Sequence, residues 1–353
     1  MKVAEIWTAL IVSMLVFCPH VLAQNPDNPI EDALLRWYPA NQAVLFTNSA
    51  CAAPQGLAFD GEHMWVACSS TNSAAQLWEL NTSDGSLVRA LTLTNVHPSY
   101  LLFDGANIWA TDRTAGTLTE VRASDGSLVR PTMTLGTTPS GMAFDGRYIW
   151  IANSSTTSGS LTKVDATNGN TTPIDISAHC TDATNIAFVS SDPGSPAWGN
   201  LTKSIWVVCS ATTPQVIELD PSNNNAFVTA TPTIGGSPNC NNIAFDGVRL
   251  WFTTLDGPPP AGPSVIQVDT TNPQNMVVAT SLTETSHPDA VAFDGEFIWV
   301  TDSVSSLVTK LFDGVTIRTA PAPGGNGYFV AFDGGNVWVS NSNGGSGFYV
   351  SKM

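Results

Sequence analysis

The stretch GLAFDGEHMWVA, residues 56–67, decides the fold because its central pattern returns along the whole chain. The pattern is Phe-Asp-Gly, then three variable residues, then Trp. It begins at Phe59, Phe103, Phe144, Phe245, Phe293 and Phe332. A seventh, degenerate copy runs from Phe188 to Trp206, with an insertion at 190–204 in place of Asp-Gly. Successive copies lie 39 to 57 residues apart, which is the interval typical of one propeller blade.

Each repeat contains the elements of a four-stranded blade. Apolar strands flank Asp-Gly, which favours a tight hairpin, and further strands follow in each copy, such as 76–80 and 86–93 in the first. The sequence therefore predicts an all-β, seven-bladed β-propeller of four-stranded antiparallel blades over residues 42–353. The last repeat lacks a fourth strand, and residues 42–48 stand where the other repeats have one. We expect this N-terminal strand to complete the last blade and close the ring.

The N-terminal segment of the chain indicates where the protein is located. Residues 1–23 combine Lys2, an apolar run and Val21-Leu22-Ala23, which is typical of a cleaved signal peptide. Residues 24–41 form a lead-in to the propeller. No later stretch has the length of about 20 apolar residues that a membrane span needs. These features predict a secreted or periplasmic protein without a transmembrane anchor.

The charge of the chain argues against one class of partner. The formal net charge is −16 at pH 7, and such an acidic protein is repelled by phosphate backbones. We therefore expect no nucleic-acid partner. A small molecule, a glycan or a protein remains as the partner, and we expect a monomer.

Four of the cysteines occupy matching positions in two repeats. Cys51 and Cys180 each stand eight residues before the repeat Phe, and Cys68 and Cys209 each stand three after the repeat Trp. This predicts the disulfides Cys51–Cys68 and Cys180–Cys209 in an oxidising compartment. Cys240 is left over. No cysteine–histidine cluster of the zinc type is visible, so no metal site is predicted from such a motif.

The recurring Phe, Trp and Asp have a structural interpretation. One large aromatic side chain per blade is what packing between neighbouring sheets requires, and Asp before Gly is typical of a turn. Function is better sought in the loops that enter the first strand of each blade and leave the second, because these share one face around the central channel. The loops bring to this face Gln55, Ser99, Ser140, Asn239, Asn241, Asn326 and Tyr328.

Ten residues of this face are the candidate binding site. They are His97, Tyr100, Asp112, Arg113, Asn153, Asp182, His287, Asp289, Asp302 and Asn341. His97 and His287 occupy the same repeat position in two blades, so they either converge as acid, base or metal ligands or are plain surface residues. Asp112 and Asp302 lie in the same blades as these histidines and are candidates to orient the imidazoles.

Three segments carry a resemblance to a known family. Trp150–Asn153, Trp299–Asp302 and Trp338–Asn341, each after Asp-Gly, resemble the YVTN-repeat, YncE-like family of seven-bladed propellers. That resemblance implies an exported binding or surface protein. The repeats are also similar, more distantly, to the streptogramin B lyase group, which implies a catalytic histidine and a bound magnesium ion; His287 is the position to test. Here Phe replaces the group's Pro, and one extra residue separates Asp-Gly from Trp.

Two functional hypotheses follow. The first is a non-catalytic propeller that binds a ligand, glycan or protein at the mouth of its channel. The second is a metal-assisted lyase or lactone hydrolase that uses His97 and His287 on the same face, with Mg²⁺ or Ca²⁺ in the central channel. A structural component of the cell envelope is a third reading.

Overall fold

The structure is a computed structural model. It describes residues 44–47, 51, 53–69, 75–93, 97–136, 138–155, 157–190, 203–210, 215–232, 240–255, 262–281, 287–322, 325–342 and 348–353. The predicted leader 1–23, the lead-in 24–41 and most of the insertion at 190–204 lie outside the described residues.

Seven four-stranded antiparallel sheets make up the described part of the chain, as the sequence predicts. Blade 1 consists of β2 (Pro54–Phe59), β3 (His63–Cys68), β4 (Gln76–Asn81) and β5 (Leu87–Thr92). Blade 2 consists of β6 (Pro98–Phe103), β7 (Asn107–Asp112), β8 (Thr117–Arg122) and β9 (Met133–Thr134). Blade 3 consists of β10 (Pro139–Phe144), β11 (Tyr148–Asn153), β12 (Ser160–Asp165) and β13 (Thr171–Asp175).

The remaining blades follow the same plan. Blade 4 consists of β14 (Ala183–Ser190), β15 (Lys203–Cys209), β16 (Gln215–Asp220) and β17 (Ala226–Ala230). Blade 5 consists of β18 (Cys240–Phe245), β19 (Arg249–Thr254), β20 (Ser264–Asp269) and β21 (Met276–Ser281). Blade 6 consists of β22 (Pro288–Phe293), β23 (Ile298–Asp302), β24 (Leu307–Phe312) and β25 (Val315–Pro321). Blade 7 consists of β26 (Asn326–Phe332), β27 (Val337–Ser342), β28 (Phe348–Lys352) and β1 (Val44–Thr47).

The ring closes through the N-terminal strand, which confirms the prediction. β1 pairs antiparallel with β28, with Val44 opposite Lys352 and Phe46 opposite Val350. The Phe46 ring stacks on Trp338 with centroids 5.4 Å apart. The last blade is thus made from both ends of the described chain, and β28 is not left as an open edge.

The core lies between the blades, where the repeat Trp was expected. Trp65, Trp109, Trp150, Trp206, Trp251 and Trp338 are at most 1% exposed. Between blades 1 and 2, for example, Trp65 and Leu77 pack against Ile108. This confirms that the repeat Trp packs neighbouring sheets together.

The repeat Asp holds the first hairpin of its blade and also ties it to the Trp. In blade 1, Oδ1 of Asp60 accepts hydrogen bonds from the backbone amides of Glu62 and His63, and Oδ2 accepts from Trp65 Nε1 at 2.7 Å. The same indole bond is present in five other blades. The turn role is therefore as predicted, and the indole bond is a feature that the sequence reading missed.

Both predicted disulfides are present. Cys51 joins Cys68 and Cys180 joins Cys209, which indicates an oxidising environment. Cys240 is a buried free thiol, and burial raises its pKa to about 12, so it is an unreactive core residue. Among the described residues, no helix is long and apolar enough to cross a membrane.

Candidate functional site

A cavity of about 370 Å³ lies where the first strands of the blades begin around the central channel. This is the face that the sequence predicts for function. All seven blades contribute to its lining, which consists of Gln55, Ser99, Tyr100, Arg113, Ser140, Ser154, Asp182, Thr184, Ser210, Asn241, Asn242, Asp289, Tyr328 and Phe329. The lining is rich in hydroxyl, amide and charged groups. It also contains three aromatic side chains, Tyr100 in blade 2 and Tyr328 and Phe329 in blade 7.

An irregularity in the first strand of every blade turns side chains toward this cavity. The register between the first and second strands shifts near the start in all seven sheets, for example between Pro98 and Leu101 and between Pro288 and Val291. The lining residues Ser99, Tyr100 and Asp289 lie within these two shifts. β-Bulges re-aim side chains in this way and are frequent next to functional sites.

Hydroxyl side chains on the second strand hold four of these irregular segments. Thr111 Oγ1 accepts a hydrogen bond from the backbone amide of Tyr100 at 3.3 Å. The equivalent acceptors, each two residues after the repeat Trp, are Thr253, Thr301 and Ser340. Each hydroxyl satisfies an amide that the irregular register removes from the ladder. The lining side chains are therefore anchored on rigid backbone.

Two glycines let neighbouring first strands approach each other closely. A Cβ built on Gly56 would lie 2.6 Å from the Ser99 carbonyl oxygen of blade 2, and one on Gly141 would lie 2.7 Å from the Asn185 Cα of blade 4. These are backbone contacts that cannot yield to a larger residue. The glycines thus keep the inner ring of strands narrow.

One side of the cavity carries a polar chain that crosses three blades. Arg113 Nη2 lies 3.3 Å from Ser154 Oγ, which in turn donates to Asp182 Oδ1 at 2.9 Å. The backbone amide of Ser155 donates to the same Asp182 oxygen at 3.0 Å. Asp182 is therefore held in place, whereas the Arg113 side chain is exposed and free to meet a ligand.

The lining also carries aromatic rings and a second carboxylate. The rings of Tyr100 and Phe329 meet edge to face with centroids 5.0 Å apart. Burial raises the pKa of the Tyr100 phenol, nearby Arg113 lowers it and Asp289 raises it further. The phenol is therefore a neutral donor that interacts electrostatically with two charged groups of the cavity, Arg113 and Asp289.

Asp289 links the cavity to His287. Its Oδ2 lies 3.2 Å from His287 Nδ1, and Ser303 Oγ lies 3.2 Å from the same ring nitrogen. Burial raises the pKa of Asp289, and the hydrogen bond from Ser303 and the neighbouring His287 oppose that rise. The imidazole is 39% exposed and is not among the lining residues.

Asp302 and Asp112 act on the backbone of the histidines. Asp302 Oδ2 accepts from the backbone amide of His287 at 3.0 Å, and Asp112 Oδ2 accepts from that of His97 at 2.7 Å. Their other oxygens cap the following turns, with Asp302 accepting from Val304 and Ser305, and Asp112 from Thr114 and Ala115. Both carboxylates are buried and hold loops; the carboxylate that meets an imidazole is Asp289 instead.

Asn153 and Asn341 occupy the same position at the end of the second strand and are also buried. Asn153 Nδ2 donates to Ser160 and Thr162, and Asn341 Nδ2 donates to Val339 and Ser351. These bonds stay within one blade. Both side chains lie under the rim and outside the cavity lining.

Of the ten candidates, the structure brings Tyr100, Arg113, Asp182 and Asp289 into one cavity. The other six are not among the described residues of the cavity lining. The lining also includes Ser154, Thr184, Ser210, Asn242 and Phe329, which the sequence reading did not name. Thr184, Asn242 and Phe329 lie on first strands, and the register shift accounts for their place in the lining. In four blades the sequence signals this shift by a hydroxyl residue two positions after the repeat Trp.

The cavity does not have the ligand set of a preassembled cation site. Among the described residues of its lining, no three His, Cys, Asp or Glu side chains bring their ligand atoms together. Its carboxylates, Asp182 and Asp289, have separate partners in different blades. The lining therefore holds two separate carboxylates and no preassembled set of ligands for the magnesium ion that the resemblance to streptogramin B lyases implies.

Comparison with known proteins defines the architecture and no more. No family model and no curated protein matches the sequence. Solved structures of similar shape include a hydrazine synthase from Kuenenia stuttgartiensis, 14% identical with a TM-score of 0.70 over 86% of this chain and 95% of that chain. A streptogramin B lyase structure is 16% identical with a TM-score of 0.69 over 88% of this chain and 97% of that chain.

A third similar structure is a virginiamycin B lyase from Staphylococcus aureus, in a catalytically inactive histidine-to-alanine form with quinupristin. It is 14% identical with a TM-score of 0.68 over 88% of this chain and 98% of that chain. At these identities the likeness is one of fold. The lyases and the present chain share the propeller architecture, and the chemistry of this chain has to be argued from its own residues.

Proposed function

We propose that the protein binds a small, hydroxyl-rich polar ligand, such as a saccharide unit, in the channel-mouth cavity and does not transform it. One observation carries the proposal: the irregular first strands of all seven blades direct polar side chains into a single cavity. A volume of about 370 Å³ lies within the range of roughly 300–1,000 Å³ that small-molecule sites occupy.

The chemistry of the lining supports a sugar-like ligand. Tyr100 and Phe329 offer aromatic surface for an apolar ring face, while Asn241 and Asn242 offer both donors and acceptors. Arg113 and Asp182 add one donor group and one acceptor group. Such a lining offers hydrogen-bond partners to successive hydroxyl groups of a ligand, and the ligand does not need to be charged.

We also propose that the protein acts outside the cytoplasm. The predicted signal peptide at 1–23 and the two disulfides support this placement.

The test is a glycan and polar-metabolite array, followed by calorimetry with the best ligand on two variants. Arg113→Ala removes a cavity donor and should weaken binding at least tenfold. Arg147→Ala makes the same charge change on the opposite face, where the side chain is 66% exposed, and should leave affinity unchanged. Equal affinities for both variants, or an array with no ligand, would contradict the proposal.

A second candidate function rests on the contact between His287 and Asp289. A carboxylate at 3.2 Å from Nδ1 fixes the imidazole and favours Nε2 as a base for a lyase or a lactone hydrolase. The inactive histidine variant of virginiamycin B lyase, in a propeller of the same fold, supports asking this question here. Turnover of cyclic esters that is lost in His287→Ala and retained in His97→Ala would favour catalysis. The absence of turnover across such esters would leave binding as the function.

A further inference from the structure

The opposite face of the propeller holds a second group of ligand-type side chains, in blade 1. The ligand atoms of Asp60, His63 and Glu79 all lie within 4.8 Å of one another. His63 Nδ1 lies 3.2 Å from Glu79 Oε1 and 3.9 Å from Asp60 Oδ2. The three side chains line a cavity of about 490 Å³ between blades 1 and 2, which is separate from the channel-mouth cavity.

The spacing suits a transition metal. Zn²⁺ binds imidazole nitrogen and carboxylate oxygen at about 2.0–2.2 Å, so a tetrahedral site separates its ligand atoms by about 3.4 Å. The two distances from His63 Nδ1 bracket that value. Three protein ligands leave a fourth position, which here opens on the cavity.

The buried Glu79 carboxylate is only partly hydrogen-bonded, although it is paired with Arg89. Glu79 is 2% exposed, and its Oε2 accepts no hydrogen bond. Arg89 Nη1 lies 3.3 Å from that oxygen but donates no hydrogen bond to it. The arginine side chain as a whole is 29% exposed. A buried carboxylate is costly without compensating positive charge, and an ion on Oε1 would add to the compensation that Arg89 supplies at Oε2.

Blade 1 is the repeat that combines an imidazole with a carboxylate at these positions. The position of His63, three residues after the repeat Asp, is occupied in the other Asp-Gly repeats by Asn107, Tyr148, Arg249, Phe297 and Asn336. The position of Glu79, opposite the repeat Trp, has Glu120 in blade 2. Blade 2 thus keeps the Asp and the Glu and has Asn in place of His, which makes it a natural reference for a blade without the third ligand.

We propose that Asp60, His63 and Glu79 form a binding site for a divalent transition metal of the Zn²⁺ class. Two carboxylates and one imidazole give the ion two formal negative charges and a borderline-soft nitrogen, a set that Zn²⁺, Co²⁺ and Ni²⁺ prefer over Ca²⁺. The ion would join the first hairpin of blade 1 to its third strand. The site is independent of the function proposed for the channel mouth.

The experiment is calorimetric titration of the EDTA-stripped protein with Zn²⁺, accompanied by Co²⁺ absorption spectroscopy. The wild-type protein should bind one ion per chain at this site, and Co²⁺ should give the intense visible bands of a tetrahedral complex. His63→Asn copies the residue of blade 2 and should lower Zn²⁺ affinity by about 100-fold with no loss of folded structure by circular dichroism. Glu79→Gln should lower affinity similarly.

The matched control is His287→Asn, which removes an imidazole from the channel-mouth face. It should leave Zn²⁺ affinity and the Co²⁺ spectrum unchanged. Absence of Zn²⁺ binding by the wild-type protein, or an affinity that His63→Asn does not alter, would overturn the proposal. Binding that is lost in His287→Asn and retained in His63→Asn would also overturn it, by placing the ion at the other face.

Discussion

At the scale of single residues, the repeat Asp stabilises both the first hairpin of its blade and the buried repeat Trp. In blade 5, Asp246 Oδ1 accepts from the amides of Val248 and Arg249, and Oδ2 accepts from Trp251 Nε1 at 2.7 Å. Trp251 is 1% exposed, so without Asp246 its indole N–H would lose its acceptor in a buried position. The aspartate therefore connects the turn to the packing between blades.

Asp246→Ala should destabilise the protein by about 3 kcal/mol, because three hydrogen bonds to a charged acceptor disappear at once. Glu296→Ala is the control: Glu296 is an exposed acidic residue in the equivalent turn of blade 6, and its loss should cost less than about 0.5 kcal/mol. Urea denaturation of the two variants measures the difference. Similar midpoints for both would show that the turn and the indole do not depend on the carboxylate.

Blade 4 lacks the repeat Asp and uses other residues in its place. Trp206 Nε1 donates to Ser204 Oγ at 2.9 Å, and the Ser204 hydroxyl also bonds to Glu218. Burial raises the pKa of Glu218 from 4.5 to about 7, the Ser204 hydrogen bond lowers it and Asp220 raises it. No described cation accompanies Glu218, in contrast to Glu79 with Arg89 and Glu120 with Arg130.

This carboxyl predicts a pH-dependent stability between about pH 4.5 and 7. Because the folded pKa lies above the unfolded one, the folded state holds the proton more tightly in that window, and stability falls as pH rises through it. The loss approaches roughly 3 kcal/mol above pH 7. Glu218→Gln cannot ionise, so its stability relative to wild type should increase from pH 5 to pH 8. The stability of Glu62→Gln, at an exposed position, should follow that of the wild type across the pH range. If Glu218→Gln also followed the wild type, the Glu218 carboxyl would be solvated and the prediction would be wrong.

At the residue scale, the sequence indicates the face on which a side chain lies where a repeat position fixes its direction. Tyr100, Arg113, Asp182 and Asp289 were placed on the channel face by strand order alone, and they meet there. Asp112 and Asp302 were expected to orient imidazoles, yet they accept from backbone amides. Whether such a carboxylate reaches the imidazole or the backbone amide depends on the path of the loop within a few ångströms. The spacing of residues along the chain does not encode that path. The group of Asp60, His63 and Glu79 was missed because it depends on the register between the second and third strands.

At the scale of elements, β1 shows how one short strand holds the ring. Its residues alternate between two faces, as a strand requires. Phe46 faces inward, where it stacks on Trp338 and packs in a cluster with Trp78 and Val350, while the neighbouring Leu45 is 39% exposed. Lys352 on the paired strand also donates to the Thr82 carbonyl of blade 1. The closing strand thus connects the last blade to the first through side chains as well as through the ladder.

Phe46→Ala should therefore destabilise the protein by about 2 kcal/mol, less than the 3–5 kcal/mol typical of a fully buried Phe, because the ring is only partly buried. Leu45→Ala removes an apolar side chain from the other face of the same strand and should cost less than about 0.5 kcal/mol. Thermal unfolding followed by tryptophan fluorescence compares them. Equal losses would mean that β1 contributes through its backbone pairing alone.

At the scale of the whole molecule, the architecture was predictable because it repeats. The Phe-Asp-Gly and Trp pattern gives the number of blades, and the missing fourth strand in the last repeat gives the closure through residues 42–48. The cavity was predictable only in its location. The identity of its lining residues depends on where the register shifts in each first strand, as at Pro98 and Pro288. That shift leaves a signal in the sequence only in the blades that have a hydroxyl residue two positions after the repeat Trp.

The closure also makes a prediction about connectivity. In blades 1 to 6 the fourth strand follows the third directly, whereas in blade 7 the strand beside β28 comes from the other end of the chain. Val44 lies opposite Lys352, so a short Asn-Gly turn after Met353 can lead straight into a relocated β1. A circular permutant that starts at residue 49 and carries residues 42–48 after this turn should fold with a melting temperature close to that of the wild type.

Deletion of residues 1–48 without relocation leaves β28 as an unpaired edge and removes Phe46 from Trp338, so we expect a lower melting temperature and self-association on size-exclusion chromatography. The permutant and the deletion variant share every other residue, which isolates the effect of the closing strand. Pairing, and not the position of the strand in the chain, should determine the outcome. A deletion variant that stays monomeric and equally stable would show that the blades hold the ring without this closure.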